Sequence, residues 1–126
     1  MSPVPAAARK SILVVSRHAH PGSSLPRSAL DTALAAAAFD QPVTLLFQGE
    51  GVLQLLPGQD SRAAGVRNLR KVIDSLPLYD IETLYVDAAA ASALGLPPDA
   101  LPEGAQWLDA AGVQALLARH DHVLGF

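Results

Sequence analysis

The amino-acid sequence predicts a three-layer α/β/α domain built on a five-stranded, mainly parallel sheet. Short apolar runs alternate along the chain with longer segments of helical periodicity, the pattern expected when helices connect parallel strands. The first run, at residues 12–15, is apolar throughout, as expected for a strand buried on both faces. The length of 126 residues fits one domain. We expect residues 1–10 to form a flexible tail and residues 11–126 to form this domain.

The first half of the chain predicts two strands and one long helix. The strand at 12–15 leads into a loop over residues 17–24. A helix is expected over residues 25–39, because Pro26 suits a first helical turn, where a missing N–H costs little. The second strand is expected at residues 43–47.

The second half of the chain continues the alternation. In chain order, we expect a short helical turn at 52–56, a helix at 61–76, a strand at 83–86, a helix at 88–94, a strand at 105–108, a helix at 110–119 and a last strand at 122–126. Asp109 is a suitable N-cap for the last helix, because its carboxylate can accept hydrogen bonds from the free backbone N–H groups. Gly95 and Pro97 are typical of the end of the preceding helix.

The composition excludes several classes of function. The chain has no cysteine, so it cannot form disulfides, use a thiolate in catalysis, carry a persulfide or bind zinc through cysteine. Its net charge is −3, whereas a surface that binds nucleic acid requires an excess of positive charge. We therefore expect no direct binding of nucleic acid. No stretch approaches the roughly 20 apolar residues of a membrane-spanning helix, so we expect no membrane segment and a cytoplasmic location.

Ligand sites in open α/β folds lie at the carboxyl ends of the parallel strands. The polar residues expected at this edge are Ser16, His18, His20, Glu50, Asp87 and Asp109. His18 and Asp87 could form a general acid–base pair. Short polar residues also end strands and begin turns, and we favour this structural interpretation. The sequence therefore predicts no catalytic residue.

Two His-x-His pairs suggest metal binding, but the predicted sheet separates them. His18 and His20 follow the first strand, whereas His120 and His122 begin the last one. In a parallel sheet these positions lie at opposite edges, so the two pairs cannot share a metal ion. Each pair alone is incomplete for structural zinc, which usually takes four protein ligands. We expect no metal site.

Two further patterns are weak signals of ligand binding. Gly49-Glu50-Gly51 matches part of a dinucleotide-binding loop, but Gln54 stands where that fingerprint needs its third glycine, and we expect no cofactor. A basic group in the expected second helix could contact RNA or an acidic partner, although we favour a solvated helix face. This group consists of Arg62, Arg67, Arg70 and Lys71.

The apolar segment at residues 52–56 predicts a subunit interface. At the helical spacing of about 100° per residue, Val52, Leu53, Leu55 and Leu56 spread over most of the circumference, and only Gln54 lies on a polar side. One surface turn is not expected to bury so many aliphatic side chains in its own domain, and exposed aliphatic groups mark a partner surface. We expect all five residues to belong to this interface. The alternative is a purely local role in the core.

The residues around this segment resemble a known family. The run from Gly49 to Gln59, followed by Leu78-Tyr79-Asp80-Ile81-Glu82 before the third strand, resembles the TusC (DsrF) subunits of the DsrE-like sulfur-relay family. The segment from Arg27 to Leu34 and the closing residues 121–126 are compatible with this resemblance, which covers about residues 11–126. The resemblance implies a DsrE-like fold.

The resemblance also implies a function within a complex. Subunits of the TusB, TusC and TusD types assemble into a heterohexamer that receives sulfur as a persulfide. The complex passes this sulfur toward 2-thiolation of the wobble uridine of tRNA. The sulfur-carrying cysteine belongs to the TusD-type subunit, at the end of its third strand, and the matching position in this chain is Asp87. The resemblance therefore implies a non-catalytic subunit whose partners are TusB-like and TusD-like chains.

Three alternatives stay open at this point. A related complex of the DsrF type serves sulfur oxidation, and the sequence of one subunit does not separate the two pathways. A flavodoxin-like module that binds a small ligand is a second alternative. A free-standing homo-oligomeric module is the third.

Overall fold

All five expected strands pair in parallel in one sheet of the computed structural model. The structure describes residues 10–20, 22–56, 69–97, 99 and 101–126. The strands are β1 (Ile12–Ser16), β2 (Val43–Phe47), β3 (Leu84–Asp87), β4 (Ala105–Leu108) and β5 (His122–Gly125). Their order across the sheet is β4-β3-β2-β1-β5. The predicted three-layer α/β/α fold is confirmed.

Four α-helices and two 3₁₀ helices connect these strands in the described residues. The α-helices are α1 (Leu25–Ala38), α2 (Arg70–Ser75), α3 (Ala88–Ala93) and α4 (Ala110–Ala118). The first 3₁₀ helix spans Gly49–Leu55, and the second spans Leu76–Tyr79. Within the described residues, no helix is both long and apolar enough to cross a membrane.

The strand order places most helices on one face of the sheet. The connections from β1 through β4 all step across the sheet in the same direction, and the last connection returns past β1 to β5. Because such crossovers are right-handed, a reversal of direction moves the connecting helix to the other face. The buried clusters agree, since Val14 belongs to one cluster with residues of α1, α2, α3 and both 3₁₀ helices. Leu13 and Val15 point to the opposite face and pack with α4.

Several predicted boundaries need correction. The strand expected at 83–86 is shifted by one residue, because Asp87 still pairs with Leu108 in the ladder. The helix expected over 61–76 lies partly outside the described residues, and its described part ends at Ser75. A 3₁₀ turn follows, and it closes where the backbone of Asp80 adopts a left-handed conformation with φ of 68°. The expected flexible tail, residues 1–10, lies outside the described residues except for Lys10.

Candidate functional site at the carboxyl edge of the sheet

The carboxyl edge of the sheet is built around the end of β1. Ser16, the last residue of β1, is 1% exposed, and its carbonyl accepts a hydrogen bond from the backbone N–H of Gln48 (3.0 Å). The next residue, Arg17, donates its backbone N–H to the carbonyl of Phe126 (2.8 Å). These bonds hold the chain segments that follow β1, β2 and β5 side by side. They position the first 3₁₀ helix directly over the end of β1.

Gly51 allows this close approach. A Cβ atom at this position would lie 2.0 Å from the carbonyl oxygen of Ser16 and 2.7 Å from its carbonyl carbon. Only glycine lets two backbones meet at such a distance. Gly49 contributes the sharp turn off the sheet, since its φ of 55° lies in the left-handed region.

Gln54 joins the 3₁₀ helix to the end of β1 and to the loop after it, through one buried and one partly buried hydrogen bond. Its side-chain Nε2 donates to the hydroxyl of Ser16 (2.7 Å) and to the carbonyl of His18 (3.0 Å). Gln54 is only 6% exposed, and its Oε1 has no hydrogen-bond partner in the described part of the chain. The helical spacing placed Gln54 on a polar side, and that expectation is wrong. No signal in the sequence marks Ser16 as its partner, because 38 residues separate the two.

The predicted interface segment is only partly available to a neighbour. Val52 and Leu55 are completely buried in the core of their own chain, whereas Leu53 and Leu56 are half-buried. The 3₁₀ helix contacts α2, α3 and β3, so several of its sides are covered at once. The premise that one turn cannot bury these aliphatic side chains locally is therefore wrong for Val52 and Leu55. It fails because Gly51 brings the turn into the sheet instead of leaving it on the surface.

Asp87 and Asp109 both act as helix N-caps. The carboxylate of Asp87 accepts hydrogen bonds from the backbone N–H groups of Ala89 (3.1 Å) and Ala90 (3.5 Å) at the start of α3. Asp109 accepts one from Gly112 (2.7 Å) at the start of α4. Each carboxylate thus satisfies N–H groups that have no partner inside the helix. This arrangement agrees with the favoured structural interpretation of the strand-end polar residues.

The histidines are distributed as the predicted topology requires. His18 and His20 are exposed in the loop after β1, and His122 lies at the start of β5. His120 lies just before β5, and its Nδ1 is 2.7 Å from the carbonyl of Leu116. Across the described ranges, no three His, Asp or Glu side chains lie together in a way that could hold a metal ion. Glu50 is exposed in the first 3₁₀ helix.

The basic group of the second helix does not form one solvated face. Arg62 and Arg67 lie outside the described residues. Arg70 pairs with Asp74 (2.9 Å) and donates to the carbonyl of Leu55, and its side chain is only 15% exposed. Lys71 is exposed. The solvated-face interpretation is therefore wrong for Arg70, which binds the end of the first 3₁₀ helix and stabilises its position.

Comparisons with known proteins agree with the fold and with the resemblance. The model of the DsrE/DsrF-like family matches residues 10–126. A protein TusC homolog from Pseudomonas aeruginosa is 36% identical, with 91% of this chain and 97% of that protein covered. The intracellular sulfur oxidation protein DsrF from Allochromatium vinosum is 33% identical, with 93% and 96% covered. The crystal structure of the ychN protein from E. coli has a TM-score of 0.77 at 18% identity and covers 94% of this chain and 99% of that one; it supports the fold alone. On the family match and these two relatives, the chain belongs to the DsrE/DsrF-like family.

Proposed function

We propose that this chain is a non-catalytic subunit of a sulfur-relay complex that passes persulfide sulfur toward 2-thiolation of the tRNA wobble uridine. Its partners are a TusB-like and a TusD-like subunit in a cytoplasmic heterohexamer. The observation that carries the proposal is the complete absence of cysteine from a member of this family. A persulfide forms only on a thiolate, so the sulfur must reside on a partner chain.

The end of β3 supports the same division of roles. Asp87 stands at the position that the family resemblance matches to the sulfur-carrying cysteine of the TusD-like subunit. Its carboxylate is engaged with the backbone N–H groups of Ala89 and Ala90. A carboxylate in this position stabilises the start of α3 and offers no nucleophile for sulfur transfer. The chain therefore contributes structure and contact surface to the complex.

The half-buried part of the first 3₁₀ helix is the proposed contact with a partner. Leu53 and Leu56 remain partly accessible in a segment that Gln54 joins to the end of β1. Their burial against a second chain would stabilise the complex without any change in the fold of this subunit. The interface then includes fewer residues of the 52–56 segment than the sequence suggests.

A role in sulfur oxidation is the second candidate, because one relative is named an intracellular sulfur oxidation protein. Both roles require a cysteine on a partner chain, so the chemistry of this subunit is the same in each. Measuring thiolated tRNA in cells that lack the subunit distinguishes the tRNA-thiolation role from the sulfur-oxidation role. A loss of 2-thiouridine supports the first role, and normal 2-thiouridine with impaired oxidation of sulfur compounds supports the second.

The proposal is tested by purifying the tagged chain from its native host without reducing agent. We expect two different partner chains to co-purify. After incubation with a cysteine desulfurase and radiolabelled cysteine, the label should be found on a partner and be absent from this chain. Covalent label on this chain, or its isolation without a partner, would contradict the proposal. An absorbance spectrum with flavin or nucleotide bands would instead support a module that binds a small ligand.

A further inference from the structure

The amino edge of the sheet, opposite the carboxyl edge described above, contains a groove that the proposed function does not use. It has a volume of about 460 Å³ and lies between α2, the second 3₁₀ helix and the starts of β3 and β4. The floor is apolar and is formed by Ile73, Ile81, Leu84 and Pro102, all of them buried. An apolar floor favours aliphatic groups over a hydrated ion.

The rim of the groove is negatively charged. It contains the carboxylates of Asp74, Glu82 and Glu103. Asp74 is paired with Arg70, whereas Glu82 and Glu103 are exposed and form no ion pair with any described residue. The two glutamate-bearing segments are neighbours, since a Cβ built on Gly104 would lie 3.4 Å from the carbonyl oxygen of Glu82, an ordinary contact distance. Within the described residues, the rim therefore carries two negative charges without an ion-pair partner above an apolar floor.

Exposed apolar side chains continue the surface beside the groove. Pro77 lines the groove, and the next two residues of the same 3₁₀ helix are Leu78, 84% exposed, and Tyr79, 56% exposed. Leu78 is the most exposed large hydrophobic side chain of the described residues. Adjacent apolar groups exposed in this way are typical of a protein-binding surface. These residues and Ile81-Glu82 also belong to the motif by which the sequence resembles its family.

We propose that this groove binds a segment of a neighbouring subunit that carries an arginine or lysine flanked by aliphatic residues. The aliphatic side chains pack on Ile81 and Leu84, and the cation lies near Glu82 and Glu103. The two glutamates favour a basic segment. A neutral or acidic segment would desolvate their carboxylates without supplying a counter-charge. The inference rests on the proposed function, since it assigns a surface of this chain to one of the partners of the complex.

The test uses the complex reconstituted from purified partner subunits of the native host. The variant Glu82→Lys/Glu103→Lys reverses the charge of the two glutamates on the rim. Asp31→Lys, which reverses one charge on the exposed face of α1 and also removes the ion pair with Arg27, is the control away from the groove. The affinity for the partners is measured by titration calorimetry at several salt concentrations. We expect the double variant to bind roughly tenfold more weakly or worse, and the control to bind within about twofold of the unmodified chain. The salt dependence of binding should fall in the double variant.

Each outcome decides the inference. Equal affinity of the unmodified chain and the double variant overturns the groove assignment and leaves the proposed function standing. Failure of the unmodified chain to bind any partner overturns both. Self-association of the isolated chain that the double variant abolishes would assign the groove to a second copy and would also overturn the inference. If the double variant fails to fold by circular dichroism, Glu82→Gln/Glu103→Gln must show a weaker loss in the same direction, and unchanged binding would overturn the inference.

Discussion

The side-chain amide of Gln54 donates a 2.7 Å hydrogen bond to the hydroxyl of Ser16 and so joins the first 3₁₀ helix to the end of β1. The same Nε2 also donates to the carbonyl of His18. Gln54 and Ser16 are 6% and 1% exposed, so water does not compete with the bond between them. A buried hydroxyl and a carbonyl that lost their donor would be costly to leave unpaired. The position of the 52–56 segment therefore depends on Gln54.

Replacing Gln54 with methionine should destabilise the protein. Gln54→Met keeps a side chain of similar volume but removes both hydrogen bonds, and we expect a loss of about 1–3 kcal/mol in the free energy of unfolding. Urea denaturation followed by circular dichroism measures this loss. Gln114→Met on the exposed surface of α4 is the control and should change stability by less than about 0.5 kcal/mol. Equal stability of Gln54→Met and the unmodified protein would show that the two bonds do not stabilise the fold.

Aspartate substitutions should separate the core residues of the 52–56 segment from its contact residues. Val52 is completely buried, so Val52→Asp places an unpaired carboxylate in the core and should unfold the subunit, at a cost of several kcal/mol. Leu53→Asp and Leu56→Asp change half-buried positions, and these subunits should remain folded. We expect both to weaken assembly with the partner subunits.

Circular dichroism of the free subunit and size-exclusion chromatography of the reconstituted complex measure the two effects. Phe39→Asp, at a side chain that is 79% exposed after α1 and lies in neither proposed interface, is the folded control. Folded Leu53→Asp and Leu56→Asp subunits that assemble as well as the unmodified chain would remove this segment from the interface.

Asp87 should contribute to stability as a helix cap. Asp87→Ala removes the acceptor of the Ala89 and Ala90 N–H groups, and we expect a loss of about 1 kcal/mol, within the usual range for a lost N-cap. Asp87→Asn should retain most of the stability, because asparagine caps helices about equally well. Thermal unfolding of both variants measures the difference. An equal loss for Asp87→Asn and Asp87→Ala would show that the negative charge, and not the cap acceptor, provides the stabilisation.

The contact between Asp121 and Ser11 should make stability depend on pH. The backbone N–H of Ser11 (2.8 Å) and its hydroxyl (3.0 Å) donate to the carboxylate of Asp121. These bonds, the backbone one most, lower the pKa of Asp121 below its ordinary value of 3.8. Because folding favours the ionised form, the stabilisation is complete above the ordinary pKa and is lost as the pH falls through the lower, folded-state pKa.

The expected result is a stability difference between the unmodified protein and Asp121→Asn that is constant near neutral pH and shrinks below about pH 4. Urea denaturation over a series of pH values measures this difference. Ser11→Ala retains the backbone donor and should keep part of the pH dependence. If the stability difference between the unmodified protein and Asp121→Asn is the same at neutral and acidic pH, the lowered pKa of Asp121 is contradicted.

The local features of the chain were predictable from the sequence. The strand Ile12–Ser16 contains a continuous apolar run at residues 12–15, and its burial on both faces follows from alternating helices and parallel pairing. The cap at Asp109 was predictable as well, since this residue stands directly before a helical segment and needs only its neighbour Gly112 as a partner. The absence of cysteine is a property of the sequence alone, and it supports the proposed non-catalytic role most strongly.

The tertiary structure decided which residues of the 52–56 segment face the core. Helical spacing treats the segment as an isolated turn, but its surroundings depend on Ser16 and Gly51, which meet only after β1 and β2 have paired. The same reason explains Arg70, whose contact with the carbonyl of Leu55 spans 15 residues. The groove beside Glu82 and Glu103 is also a product of the fold, because its walls come from segments that are distant in the sequence. Spacing along a chain reports local geometry, whereas burial and charge pairing depend on what the rest of the chain brings into contact.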